Sequence, residues 1–338
     1  MRKADNELPE EKIIIRSEKE AFEYLKEALL NNFDGKNVNI EFENWPVLEI
    51  KIEGEGYEST ITSTMAQSLV DLQGALNKTY ARSVKGTSNS NVLTQQERQD
   101  IQFKAKIEKG SSIVKVDIGE FVEKLATQLV TKMDGSDVVL TVVGTAIVAA
   151  SHLAYKHFLN KRSEDKKVDA ETHSRVLMSQ EETKRLEIMA SAFKSNSNLK
   201  ATSADFDEVR QDIVKSGINA SSISVQGLTL DSSEAKKIAS TPREKAEEVQ
   251  LNGHYKIVNI NWSKDEEVKI SLYSTDSSTI KEFVATMAAH NLVGSNKEKL
   301  QQCEWERTPV YLSINATVLR GEVTTAIIVD VDWPKNKK

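Results

Sequence analysis

Apolar residues along this chain recur at two periods, and the alternation between them outlines its elements. Over 17–32, Phe22, Leu25, Ala28 and Leu29 share one face, which predicts a helix. Ser17 before it and Glu20 three residues on form a capping box. Ile61, Met65, Leu69, Leu72, Leu76 and Tyr80 make one stripe and predict an amphipathic helix over 58–83. A short helical turn is expected at 94–100. Phe121, Val122, Leu125, Leu129 and Met133 mark another helix, and helices are expected over 170–194, 203–217 and 232–249.

A period of two appears elsewhere. Val38, Ile40 and Phe42 alternate with polar residues, as do Leu48, Ile50 and Ile52 after a turn at 44–46; the pair suits an antiparallel hairpin. Ile101 to Ile107 and Ile113 to Val116 suggest a second hairpin around a Lys109–Ser112 turn. A short strand is expected at 223–228. Farther on, strands at 255–262 and 267–273, a helix at 277–291 and strands at 309–317 and 323–332 repeat the hairpin-helix-hairpin order. The helix rests on Ile280, Phe283, Val284, Met287 and Ala288. The pattern predicts an α+β protein: two small antiparallel-sheet-plus-helix domains, 1–135 and 218–338, joined by a long helical connector over 136–217.

Within the connector, Val138 to Tyr155 (VVLTVVGTAIVAASHLAY) holds no charged residue. As a helix, its 18 residues reach about 27 Å, just short of a bilayer core. Thr141, Gly144, Thr145, Ser151 and His152 dilute its apolar character. Lys156, Lys161 and Arg162 would hold its end on the cytoplasmic side and force the preceding segment across. A membrane span is therefore the disfavoured reading. The preferred one is a helix buried by protein, in the core or at a self-association interface; a buried strand at 138–143 is the remaining alternative. Gly144, Ala146, Ala150 and Ala154 are the candidate interface residues, since small side chains let another helix approach closely.

Composition narrows the chemistry. The 338 residues are 39% hydrophobic and 28% charged, which excludes wholesale disorder. The net charge of −6 and 6% aromatic content speak against a polynucleotide partner. One cysteine, Cys303, makes neither an intrachain disulfide nor a cysteine-based zinc site. The start, MRKADNELPEEKIII, lacks the apolar core of a secretory signal, so a cytoplasmic protein is expected. Phosphate-binding glycine loops and nucleophile motifs are missing, and no cofactor or metal is expected. The weak catalytic candidates are Asp330 and Asp332, two apart on the last strand and so on one face. Half-buried strands show the same alternation. Trp305 and Trp333 border this region and could form an apolar ligand platform.

From about 47 to 160 the chain resembles an uncharacterised bacterial domain family of unknown function. The resemblance rests on VLEIKIEGEG, TMAQSLVDLQGALNKTYA and FKAKIEKGSSIVKVDI, followed by an amphipathic and then a weakly hydrophobic helix. Such families are often encoded on mobile or phage-defence islands. The resemblance implies that setting and transfers no activity or functional residue. The expectation is a non-enzymatic, homo-oligomeric interaction or scaffold protein with a possible protein partner. An enzyme with an unrecognised C-terminal site is the alternative, as is a membrane-attached protein.

Overall fold

The structure is a computed structural model that describes residues 9–57, 60–108, 113–166, 178–240, 246–261, 267–276, 280–292, 294–319 and 322–333. Helices and sheets both contribute, in keeping with an α+β class. The chain forms two compact units, Met1–Pro242 and Arg243–Lys338. The expected boundaries at 135 and 217 do not coincide with this division: the described residues of 136–217 fall within the first unit. The Lys109–Ser112 turn lies outside the described residues.

The first unit opens with β1 (Glu10–Ile15), a strand that its apolar cluster alone does not announce. Ile13 and Ile15 are fully buried. Then come α1 (Glu18–Leu29) and β2 (Asn37–Phe42), and β2 pairs parallel to β1 with Ile13 opposite Ile40. The Ser17 hydroxyl accepts the Glu20 N–H at 3.3 Å, while the Glu20 carboxylate takes the Arg16 N–H and not that of Ser17, so the expected cap forms without the reciprocal half of a capping box. The expected hairpin between β2 and β3 (Val47–Glu53) is not made. β2 already has β1 as its partner, and β3 is flanked on both edges in a different sheet.

That sheet assembles from distant pieces. After β3 come α2 (Ser63–Lys85), α3 (Gln95–Asp100), β4 (Ala105–Ile107), β5 (Ile113–Asp117) and α4 (Gly119–Leu129). Then follow α5 (Gly135–Ala150), α6 (His152–Lys166), α7 (Gln180–Ser195), α8 (Ser197–Ser216), β6 (Ser222–Val225), β7 (Leu228–Asp231) and α9 (Ser232–Ala239). The sheet order is β4-β5-β3-β6-β7, with every pairing antiparallel. Leu48, Ile50 and Ile52 bury the inner face of β3, as their alternation requires. The expected break at 195–202 shrinks to Asn196, whose side chain accepts the Leu199 N–H at 3.0 Å and caps α8.

α5 occupies the centre. Every residue from Val138 to Ala150 is buried, and α1, α4 and α8 pack around it. The stretch 138–143 is thus helical, and its side chains meet protein on all sides. At its start Gly135 lies under a loop: a Cβ there would stand 2.3 Å from the Phe33 carbonyl oxygen. The uncharged segment is not one helix through Tyr155. It bends by 60° at Ser151, whose hydroxyl accepts the Ala154 N–H at 2.8 Å and starts α6. The Glu18 carboxylate takes the His152 and Leu153 N–H groups at 2.8 and 3.3 Å. Among the described residues no single helix is long and apolar enough to cross a membrane; α5 and α6 would meet the test only as a bent pair.

One ion pair ties α6 to α7. Lys156 Nζ lies 2.8 and 2.9 Å from the two Glu182 carboxylate oxygens, and the Ser179 N–H donates to one of them at 2.7 Å. Burial pushes the Glu182 carboxyl up, but the bonds from Lys156 and Ser179 outweigh it and hold the value down at about 2. A folded value below the ordinary 4.5 stabilises the protein above that pH, and the contribution is lost as pH falls from 4.5 toward 2. Glu182→Gln should therefore lower Tm at pH 7 and leave a smaller deficit at pH 3. Paired thermal melts check this; an equal deficit at both pH values would contradict it.

The second unit holds β8 (Glu247–Gln250), β9 (Gly253–Asn261), β10 (Glu267–Ser274), β11 (Glu282–Ala288), α10 (Ser295–Glu306), β12 (Val310–Leu319) and β13 (Glu322–Asp332). Here the predicted helix at 277–291 is corrected to a strand: Phe283, Ala285 and Met287 point inward and Val284 outward. The same apolar residues satisfy a helical stripe and a strand, and pairing with β10 selects the strand. The helix of this unit comes later, as α10. Residues 247–250 are likewise a strand and not the end of a 232–249 helix.

The strands close on themselves. β9, β10, β11, β13 and β12 are neighbours in that order, and β12 pairs back to β9, giving a five-stranded barrel. β8 continues β9 along β12, so the two act as one bent strand. Ile270, Leu272, Met287, Leu312, Ile314 and Ile328 fill the interior. Leu300 and Cys303 of α10 join this core, and α10 packs against β9, β12 and β13.

Candidate functional site

Two places on the barrel combine exposure with chemistry. The first is the outer wall over β10, β11 and β13. β11 and β13 run parallel and are joined at Thr286 opposite Ile327. The alternation that sends Phe283, Ala285, Met287, Ala326 and Ile328 inward sends Val284, Ile327 and Val329 outward. These three are 38%, 54% and 47% exposed, and Tyr273 on β10 is 41% exposed. A lone exposed aliphatic residue is ordinary; a group on adjoining strands is not. Lys269 of β10 stands opposite Thr286, and Glu282 of β11 opposite Tyr273, so charges of both signs border the patch.

The second place is a row across β9, β12 and β13. His254, Tyr311 and Asp332 are register partners in turn. Asp276 accepts the His254 N–H at 2.8 Å and lies 3.4 Å from His254 Nδ1. The imidazole meets the Tyr311 ring edge-on, with centroids 5.2 Å apart. Asp332 forms an ion pair with Lys299 at 3.6 Å and accepts the Trp333 N–H at 2.9 Å. Asp330 lies opposite Ser313 and Asp332 opposite Tyr311, two residues apart on each strand, so the expected shared face is present. Each carboxylate has its own strand neighbours, and Asp332 is tied to α10. Among the described residues no group of three or more histidines, cysteines or carboxylates could hold a metal ion. Trp305 is 91% exposed and Trp333 45%.

The other predicted interface residues sit elsewhere. Gly144, Ala146 and Ala150 are buried within the first unit, and Ala154 is half-buried. Gly144 seats Leu199 of α8: a Cβ there would approach Leu199 Cδ2 to 2.5 Å. The helix that approaches the small-residue stripe thus belongs to the same chain. Sequence reasoning misses the wall on β11 and β13 because the apolar spacing places Val284 on a helix. The run Ala326-Ile327-Ile328-Val329, apolar without alternation, carried the signal.

Comparison with known protein families, with curated proteins and with solved structures returns no match.

Proposed function

We propose that this chain is a non-enzymatic, self-associating interaction protein, and that copies meet through the outer wall of the barrel. The carrying observation is the exposed group Val284, Ile327 and Val329. Covering it removes apolar surface from water at about 25 cal/mol per Å². Its border of Lys269 and Glu282 is self-complementary, since a twofold axis can set each beside its opposite on the second copy.

The barrel's connectivity bears on the class of partner. Taking β8 and β9 as strand one, the neighbours run 1-2-3-5-4 and close on 1, with a helix between the third and fourth strands. That is the connectivity of the OB-fold, whose second and third strands commonly present oligonucleotides or oligosaccharides with a binding face. Among the described residues that face offers one exposed large aromatic residue, Tyr273, with lysines and glutamates mixed. A single-strand groove needs a positive track and several stacking rings, so a protein surface suits this wall better.

Light scattering on the full chain provides the test. The wild type should show a mass above one protomer. Ile327→Glu should weaken association by about 2 kcal/mol or more while leaving Tm nearly unchanged, because the side chain is half exposed. A wild type that stays monomeric at its highest soluble concentration would overturn the proposal. Binding of a labelled single-stranded oligonucleotide with steep salt dependence would replace it.

A further inference from the structure

A bend of 60° in a buried helix releases backbone groups that must find new partners. In a straight helix the His152, Leu153 and Ala154 N–H groups would bond the Val148, Ala149 and Ala150 carbonyls. Here they go instead to Glu18, Glu18 and the Ser151 hydroxyl. Two of the three released carbonyls are taken by side chains: the Arg210 guanidinium donates to Val148 and the Gln226 amide donates to Ala150. The third belongs to Ala149.

Ala149 lines a small cavity together with Ser151, Tyr155, Phe206, Arg210 and Gln226. The cavity volume is about 10 Å³. Tyr155 is 2% exposed, and its hydroxyl has no hydrogen-bond partner among the described residues. Burial raises the phenol above its ordinary value despite the nearby Arg210, so it stays a neutral donor. An isolated buried hydroxyl costs free energy, whereas one bonded to an internal water does not.

We propose that this cavity is a binding site for one ordered water molecule, which accepts the Tyr155 O–H and donates to the Ala149 carbonyl. The Ser151 hydroxyl supplies a further partner at the same wall. The water completes the set of hydrogen bonds at the bend. It acts with Glu18, Arg210 and Gln226 to hold the uncharged segment folded back at Ser151 instead of running on as one straight helix. The volume is about that needed for one water, and Tyr155, Ala149 and Ser151 all line it, which gives the number of polar partners usual for an internal water.

Tyr155→Phe separates the two states of the hydroxyl by the sign of its effect. If water bridges it, the variant loses that bond and Tm falls by about 2–4 °C. If the hydroxyl is an unsatisfied buried group, removing it relieves a cost and Tm rises. A high-resolution crystal structure of the full wild-type chain reads the site directly, and should show a solvent peak within hydrogen-bond distance of both Tyr155 Oη and the Ala149 oxygen. A falling Tm together with that peak supports the site. A cavity without density, or an unchanged or higher Tm in Tyr155→Phe, overturns it.

Discussion

Ala150→Arg is expected to abolish the cooperative fold of the protein. Ala150 is 2% exposed at the end of α5, and its carbonyl accepts the Gln226 amide. An arginine there places a cation where α5 is enclosed by its own chain. Burying an ion without a partner costs several kcal/mol, and overfilling a packed site adds about 1–3 kcal/mol. Total stability of a domain is only about 5–15 kcal/mol. Circular dichroism melts should show no cooperative transition, and the protein should accumulate as aggregate. Leu30→Arg is the control: Leu30 is 61% exposed at the end of α1, and its substitution should shift stability by no more than about 0.5 kcal/mol. A soluble Ala150→Arg protein with a normal melt would show that α5 is not sheathed by α1, α4 and α8. If it were also monomeric where the wild type is not, the small-residue stripe would be an interface after all.

Arg82→Met should destabilise the protein by about 3–5 kcal/mol, since it removes one partner of a buried ion pair. Arg82 lies on α2 and Asp205 on α8, 5% and 7% exposed. Arg82 Nη2 donates to Asp205 Oδ2 at 2.8 Å, Nη1 to the Thr202 hydroxyl at 3.2 Å and Nε to the Ser88 hydroxyl at 3.2 Å. Methionine fills much of the same volume, so the loss reports on the charge left on Asp205 rather than on a cavity. Lys78, 3.9 Å from Asp205 Oδ1, offsets part of it. Changing both partners, Arg82→Met with Asp205→Leu, should recover most of the stability, because two apolar groups in place of a buried pair are often neutral or better. Chemical denaturation of the two single variants and the double variant checks this. A double variant as weak as Arg82→Met would locate the effect in the hydroxyl bonds to Ser88 and Thr202.

Several elements are legible in the spacing of side chains alone. The stripe from Met65 to Tyr80 lies on the buried side of α2, although Ile61 falls outside the helix and is exposed. The alternation of β3 and the cap at Ser17 appear as expected. α10 was not visible, because only Leu300 and Cys303 of its twelve residues are buried. β11 was legible as apolar but wrong in type, since residues 280–288 satisfy both periods. The candidate surface inherited that error: Val284 reaches solvent only once β11 is a strand.

Side-chain spacing alone calls for Val138 to Tyr155 to avoid water, for α1, α2 and α4 each to have one apolar face, and for β9, β10, β12 and β13 to be half-buried. These follow from the spacing of side chains along a short stretch, and spacing is a local property. Tertiary structure alone decided which strand pairs with which, that the second unit closes into a barrel, and where the uncharged segment bends. Those outcomes depend on groups far apart in the chain: Glu18 caps a helix that starts 134 residues later, and β3 is completed by Val225 and Ile223. Backbone hydrogen-bonding groups are alike at every residue, so their partners are selected only when the packed chain brings a matching donor or edge within reach.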